Sequence, residues 1–255
     1  MEHGIIVCPP LISDDIVGTL HELGGIEAAG RCEWGAANRN AVILSTRMSH
    51  VTSWTSSVSG GRERGPRGLA RAWGEALIRP RRLFVNGVAA GDQAPALTFA
   101  IAVAGVFTLG WIVADPGVVP GIVDSTAVSA VVLLLVVVAL AAPVGLHLTA
   151  AAATLAVLVA SIEFDSGLSL RDRAGVSETV QVVAYASSPM AFAGPPIPAL
   201  RVVCGVYAAV LLVIGVRVVH EMTPLRTLVA ALPPAVIGFG IGYRVVPSFR
   251  ALIGW

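Results

Sequence analysis

The sequence predicts an all-α polytopic membrane protein: a bundle of about five transmembrane helices, with a disordered N-terminal segment and one interfacial amphipathic helix. Of the 255 residues, 55% are hydrophobic and only 13% are charged, and the mean hydropathy is +0.80. A soluble domain carries about 25% charged residues. Residues 1–93 hold 19 of the 33 charged residues, which leaves 14 for residues 94–255. The second part therefore has too few charges to cover the surface of a soluble protein.

The composition also limits the function. The formal net charge is +1, which gives no reason to expect a nucleic-acid partner. Cys8, Cys32 and Cys204 lack a C-x-x-C spacing, so neither a disulfide framework nor a zinc site is expected. The sequence has no GxSxG, HExxH or Walker A pattern and no nucleophile–base set. We therefore expect no catalytic residue, no metal site and no cofactor, and an enzyme is not predicted.

The first 65 residues differ from the rest of the chain. Residues 1–47 contain six acidic residues, three arginines and no long apolar run, so they lack the pattern of a signal peptide. Two interpretations remain open: upstream sequence translated by mistake, with Met48 as the true start, or a genuine cytoplasmic extension. Residues 48–65 are rich in Ser, Thr and Gly and predict a disordered leader.

Residues 66–93 form the predicted interfacial segment. A helix is expected from Pro66, because proline suits the first helical position. Leu69, Trp73 and Leu77, together with Ala76, recur at helical spacing and form one apolar stripe. A basic amphipathic helix of this kind is typical of the membrane interface. The residues expected there are Arg67, Arg71, Trp73, Arg79, Arg81 and Arg82. A flank that only fixes orientation is favoured over specific binding of anionic lipid or of a partner.

Five apolar segments follow and make up a membrane domain at residues 94–245, with residues 246–255 as a short tail. A transmembrane helix needs roughly 17–25 apolar residues. The predicted segments are residues 95–114, 126–162, 176–193, 199–219 and 225–244. The second one is too long for a single straight span, so it is either one long helix kinked at Pro143 or two helices joined by a tight turn. A charged loop follows it at residues 163–175.

The placement of arginine favours five spans over six. Seven arginines lie within residues 62–82, and such a flank is expected in the cytoplasm. The loops after the second and the fourth segment hold four more arginines. A topology with five spans places these four in the cytoplasm, whereas a topology with six spans places them outside. The N-terminus is therefore predicted to be cytoplasmic and the C-terminus to be outside.

Several motifs occur in an order that resembles a known family. Residues 177–189 contain an Ala-Tyr-Ala-Ser-Ser-Pro core around Tyr185 and Pro189, and a turn with Pro195 and Pro196 follows. Residues 215–220 match a Gly-(x)4-His ending at His220, and residues 223–233 match a Thr-led final span. This order is similar to that of the Yip-one domain family, which is named for its interaction with Ypt/Rab GTPases. The leader at residues 79–84, with residues 91–95, resembles that of a prokaryotic, archaeal branch.

The resemblance covers about residues 66–245 and implies five spans with a cytoplasmic N-terminus. The chain has no equivalent of the acidic Asp-Leu-Tyr-Gly-Pro-type motif of eukaryotic members, so Rab binding is not carried over. The resemblance implies a non-enzymatic scaffold or adaptor in membrane organisation or trafficking, located in the cell membrane. A small transporter or permease is the alternative. The expected partners are the lipid bilayer, a membrane or cytoplasmic protein, and further copies of the chain.

Ionisable residues inside a bilayer are costly and are candidates for function. They are His147, Glu178, Arg201, Arg217, His220 and Glu221. Most lie near a predicted span end, but His147 lies well inside one. A hydrogen bond from His147 to a neighbouring helix is favoured over a role in a proton path.

Two further pairs of polar residues have i,i+4 spacing. Arg217 and Glu221 predict a weak ion pair at a helix end. Gln181 and Tyr185 share one face of the third segment, where they are expected to form bonds across helices.

Overall fold

The computed structural model describes residues 65–163, 169–170 and 174–254, and in these ranges the chain is almost entirely helical. The expectations for residues 1–47 and for most of residues 48–65 lie outside the described residues. The α-helices are α1 (Pro66–Ile78), α2 (Pro80–Asn86), α3 (Ala94–Ala114), α4 (Thr126–Val136), α5 (Ala142–Ala160), α6 (Val176–Ala186), α7 (Pro198–Val219), α8 (Pro224–Pro234) and α9 (Val245–Leu252). Two-residue strands, β1 (Ile162–Glu163) and β2 (Ser169–Leu170), pair antiparallel within the charged loop.

Four described helices are long and apolar enough to cross a membrane, which confirms the predicted class of polytopic helical bundle. They are Ala94–Ala114, Thr126–Ala160, Pro198–Val219 and Pro224–Gly242. Proline occupies the first turn in three of them, α3, α7 and α8. Its missing N–H group would have no helical partner there, so each helix begins close to where the sequence predicts.

The second segment is one continuous helix of 35 residues, so the alternative of two helices with a tight turn is wrong. A π-helical stretch, Val137–Ala141, joins α4 to α5 just before Pro143. Proline cannot donate the usual i→i−4 hydrogen bond, and a π-helical turn is one way in which a helix continues past such a position. At 1.5 Å per residue the helix is about 52 Å long, which exceeds the ~30 Å hydrocarbon core.

The third predicted segment is a buried, interrupted element and does not form a long continuous helix. Helix α6 has only 11 residues and is followed by a 3-10 helix at Ser188–Ala193. Pro189 explains the break, since proline disfavours an α-helix in the residues before it. Every residue from 179 to 191 is buried, so this segment lies in the centre of the bundle. Its apolar composition reflects burial in protein.

The end of the chain also differs from expectation. Residues 246–255 were expected as a short tail, but α9 begins at Val245 and runs to Leu252. Arg244, the residue before it, has a φ angle of 60°, which separates α9 from the π-helical stretch Ala235–Gly242. Helix α9 packs against α7, where a Cβ added at Gly205 would lie 2.6 Å from Val245.

The course of the five segments gives the bundle two distinct ends. Gly110, near the end of α3, contacts Gly194, which precedes α7, so these residues define what we call the Trp111 end. At the opposite end, which we call the Ala94 end, the segment before α3 contacts the start of α6 through Gly91. The chain enters the first of the five segments at the Ala94 end. Because five is an odd number, it leaves the last segment, at Gly242, at the Trp111 end.

Candidate functional site

A cavity of about 560 Å³ lies between α3, the long helix and the π-helical stretch that ends at Gly242. Its wall is mainly hydrocarbon, contributed by side chains such as Ala104, Leu133, Val137 and Ile237. The hydroxyl-bearing residues in the wall are Thr108, Thr149, Ser187 and Tyr243. The hydroxyl groups of Thr149 and Ser187 already donate hydrogen bonds to backbone carbonyls of their own segments. The cavity therefore favours apolar contents.

Aromatic residues line one extremity of this cavity, and two arginines outside the wall contact the aromatic residue Trp111. The ring of Phe107 is 5.1 Å from that of Tyr243 and 6.1 Å from that of Trp111. The guanidinium carbon of Arg201 is 4.9 Å from the Trp111 ring centroid, and that of Arg244 is 5.0 Å from the same centroid. Cation–π attraction of this kind is worth about 0.5–2 kcal/mol, depending on desolvation. One indole ring thus holds two positive charges near each other.

Arg201 is the more deeply buried of the two arginines, with 5% of its surface exposed. Its Nε donates to the carbonyl oxygen of Ala193 at 3.0 Å, and one terminal nitrogen donates to that of Gly194 at 2.8 Å. These carbonyls follow the broken segment and lack helical partners, so the guanidinium satisfies them. The sequence analysis singled out Arg201 as an ionisable residue in a span but gave it no partner.

Neither arginine is neutralised by an acidic residue in the part of the chain that the structure describes. Neither Arg201 nor Arg244 forms an ion pair there. Asp115 ends α3 nearby, but its carboxylate accepts a hydrogen bond from the backbone N–H of Gly117. Both guanidinium groups beside Trp111 therefore lack an ion-pair partner among the described residues.

His147 does not have the predicted environment. Its side chain is exposed on the outside of the bundle, and Nδ1 lies 2.8 Å from the carbonyl oxygen of Pro143, four residues earlier in the same helix. The expected bond to a neighbouring helix is absent from the described residues. The reason is the register of the helix, which turns Leu146 and Thr149 inward and His147 outward.

Gln181 forms the predicted contact across the bundle. Its Nε2 donates to the carbonyl oxygen of Ala89 at 2.6 Å, and its Oε1 accepts from the N–H of Ala89 at 3.1 Å. Tyr185 is fully buried, and its ring meets that of Phe99 edge to face with centroids 5.2 Å apart. Both side chains therefore connect α6 to other parts of the chain, as expected of polar residues in a bundle.

His220 is buried at the Ala94 end, where its Nε2 lies 3.2 Å from the Thr179 hydroxyl. It thereby joins the end of α7 to the start of α6. The predicted ion pair between Arg217 and Glu221 is absent from the described residues. Helix α7 ends at Val219, and Glu221 has a φ angle of 50°, so the two side chains do not share a helical face.

The family-motif prolines lie in and after the broken segment. Pro189 is buried within the 3-10 helix, Pro195 is half-buried and Pro196 is exposed. The turn packs closely at Gly194, directly before Pro195: a Cβ added at Gly194 would lie 2.6 Å from the carbonyl oxygen of Phe107. These residues shape the backbone beside Arg201.

The apolar stripe of α1 faces protein. Gly68, Ala72 and Ala76 are buried, and Leu69 and Trp73 pack against the core. The arginines expected at the interface are exposed at positions 67, 71, 79 and 81 and half-buried at 82. The assignment of these residues to the membrane interface stays a prediction, but the face that was expected to enter lipid is occupied by the bundle.

Sequence reasoning missed the Trp111–Arg244 contact. Trp111 and Arg244 are far apart in the sequence, and each lies near a predicted span end, where such residues are common. The only available signal was the shared location of both residues on the side predicted to be outside. No group of three or more His, Cys, Asp or Glu side chains that could hold a metal occurs in the described ranges.

The family model of the Yip1 domain matches residues 74–243, which is more than half of the chain and includes the whole cavity wall. No curated protein and no solved structure matches the chain.

Proposed function

Since this chain belongs to the Yip1 domain family and is an integral membrane protein, we propose that it acts as a non-enzymatic scaffold or adaptor in membrane organisation or trafficking. The observation that supports this role is an exposed basic surface, formed by Arg67, Arg71, Arg79 and Arg81, which the bundle holds in place. The proposal includes location in the cell membrane, with the N-terminus in the cytoplasm and the C-terminus outside.

Two contacts hold the basic surface in a fixed position. The indole N–H of Trp73 donates to the carbonyl oxygen of Ser188, and the Tyr207 hydroxyl donates to that of Leu77. A rigid array of guanidinium groups can bind carboxylates or phosphates with less loss of conformational entropy than a flexible array. This favours an acidic protein segment as the partner, because the apolar face of α1 is already covered and is not available for insertion into lipid.

Photo-crosslinking can test the adaptor role directly. A photoreactive residue at position 78, where Ile78 is 79% exposed beside the arginines, should capture a protein in native membranes. The matched control is position 253, where Ile253 follows α9 and is 51% exposed. Adducts with lipid alone at position 78 would contradict an adaptor role for this surface and favour a membrane-interface helix.

The cavity favours a transporter or permease as the second candidate. Its volume is within the range of about 300–1,000 Å³ that is usual for small-molecule sites. Transport predicts solute or ion flux into proteoliposomes that a bulky side chain in the cavity blocks. A scaffold predicts no flux above that of empty vesicles, with or without such a substitution.

A further inference from the structure

The cavity has a hydrocarbon wall, and beside Trp111, at one extremity of that wall, lie two arginines that form no ion pair with the described residues. We propose that it binds an anionic membrane phospholipid, with an acyl chain inside the cavity and the headgroup phosphate beside Arg201 and Arg244. The inference does not depend on the scaffold role, because it concerns the Trp111 end and not the basic surface around α1. Capture of a partner by that surface and binding of lipid in the cavity can succeed or fail separately.

The wall of the cavity suits an acyl chain. It is lined largely by aliphatic and aromatic side chains, and the hydroxyl groups of Thr149 and Ser187 are occupied by backbone carbonyls. Apolar pockets between helices are common binding sites for lipid-like molecules and small ligands. A water-filled cavity needs several polar partners for each water molecule, and this wall offers few of them.

The open side of the cavity faces the surroundings of the bundle. The first half of the long helix, α4, contributes Leu133 to the wall but buries only Ser129. Only 6% of the most apolar stretch of the long helix is buried in the protein. In a bilayer, an acyl chain can therefore enter sideways past α4. A lipid can take this lateral route, whereas a soluble anion on the same route would have to cross hydrocarbon, which is costly for a charge.

The arginines provide a headgroup site at the right place. Two guanidinium groups within about 5 Å of one indole ring repel each other, so an anion between or beside them relieves that repulsion. Arg201 uses Nε and one terminal nitrogen for Ala193 and Gly194, and its other terminal nitrogen forms no hydrogen bond with the described residues. Arginine binds phosphate through paired N–H groups. Trp111 lies near the end of its span, at the level that tryptophan prefers in membranes.

Native mass spectrometry of the full chain in mild detergent tests the proposal. The probes are phosphatidylglycerol, phosphatidylcholine with the same acyl chains, and glycerol phosphate without chains. Gly145→Leu fills the cavity, because Gly145 lines it and a Cβ there meets nothing within 4 Å. Arg244→Gln removes one exposed charge beside Trp111. The matched controls are Gly74→Leu, another helical glycine with open space, and Arg250→Gln, an exposed arginine in α9.

The proposal predicts that phosphatidylglycerol binds at least about tenfold more tightly than phosphatidylcholine, because the two guanidinium groups repel the choline cation that phosphatidylcholine carries beside the same phosphodiester. Gly145→Leu and Arg244→Gln should each weaken that binding about tenfold, and the two controls should leave it unchanged. Equal binding of both lipids, or equal loss in variants and controls, would overturn the proposal. If glycerol phosphate bound as tightly as phosphatidylglycerol, the ligand of the site would be a free anion and the lipid proposal would be wrong. If the protein formed a dimer that only Arg244→Gln disrupted, the partner at Arg244 would be a second copy of the chain and the lipid proposal would be wrong.

Discussion

The indole nitrogen of Trp73 donates a 2.7 Å hydrogen bond to the carbonyl oxygen of Ser188, a residue 115 positions later in the chain. Ser188 lies where the buried broken segment changes from α-helix to 3-10 helix. The Trp73 ring also stacks on Phe192, with centroids 5.0 Å apart. One side chain therefore fixes the basic helix α1 to the centre of the bundle.

Substitution of Trp73 should release α1 in two steps. Trp73→Phe removes the hydrogen bond, worth about 1 kcal/mol, and keeps a stacked ring. Trp73→Ala also removes the aromatic pair, worth a further ~0.5–1.5 kcal/mol beyond the lost buried area. Hydrogen exchange of residues 66–86 should therefore be slowest in the wild type and fastest in Trp73→Ala. Phe249→Ala, at an exposed aromatic residue of α9, serves as control, and equal exchange in all four proteins would show that Trp73 does not hold α1.

Gln181 should be important for stability. Gln181→Leu leaves the N–H and C=O groups of the half-buried Ala89 without their side-chain partner, and each such loss costs about 1 kcal/mol. We expect a clear decrease in the midpoint of thermal unfolding in detergent. Gln93→Leu is the control, because Gln93 is half-buried near the start of α3 and its side chain caps nothing. A midpoint in Gln181→Leu that equals that of the control contradicts the proposed clamp.

Two glycines should respond to alanine in opposite directions. A Cβ at Gly215 would lie 2.7 Å from Val182 and 3.0 Å from the Phe84 ring, so Gly215→Ala should destabilise the protein by about 1–3 kcal/mol. Gly74 has open space in α1, and Gly74→Ala should be neutral or stabilise by about 0.5–1 kcal/mol. Thermal unfolding in detergent measures both. Stabilisation by Gly215→Ala would show that α2, α6 and α7 do not approach as closely as described.

His147→Ala should have little effect. The His147 side chain is exposed and bonds only within its own helix, so the expected change in the free energy of unfolding is within about 0.5 kcal/mol. The scaffold proposal further predicts no flux that depends on this residue. Normal abundance of His147→Ala together with loss of a measurable ion or solute flux would support the transporter.

The sequence was sufficient for the long helices, because hydropathy and proline position report them directly. Residues 95–114 and 199–219 were predicted, and the helices are Ala94–Ala114 and Pro198–Val219. Hydropathy did not distinguish the buried segment from a span, since an apolar stretch looks the same whether lipid or protein surrounds it. Pro189 indicated an interruption but not that the segment lies at the centre of the bundle.

The arrangement around Trp111 was not predictable for a different reason. Arg201 and Arg244 reach the same ring from two different helices, and only the packing of those helices brings them together. The inward position of the polar residues of α6 was easier to predict, because Gln181 and Tyr185 share one helical face. Short-range spacing therefore indicated that Gln181 and Tyr185 face the bundle, but it failed for Arg217 and Glu221, where the helix ends first, and long-range contacts required the fold.

Purification of the full chain from native membranes, with quantitative mass spectrometry of the proteins that accompany it, tests the adaptor role most directly. The comparison is with a variant in which Arg67, Arg79 and Arg81 are glutamine, and with Arg250→Gln as control. We predict at least one protein in near-stoichiometric amount that is lost from the triple variant and retained by the control. A homo-oligomer without other proteins, or a partner that the triple variant retains, would contradict an adaptor that acts through its basic surface.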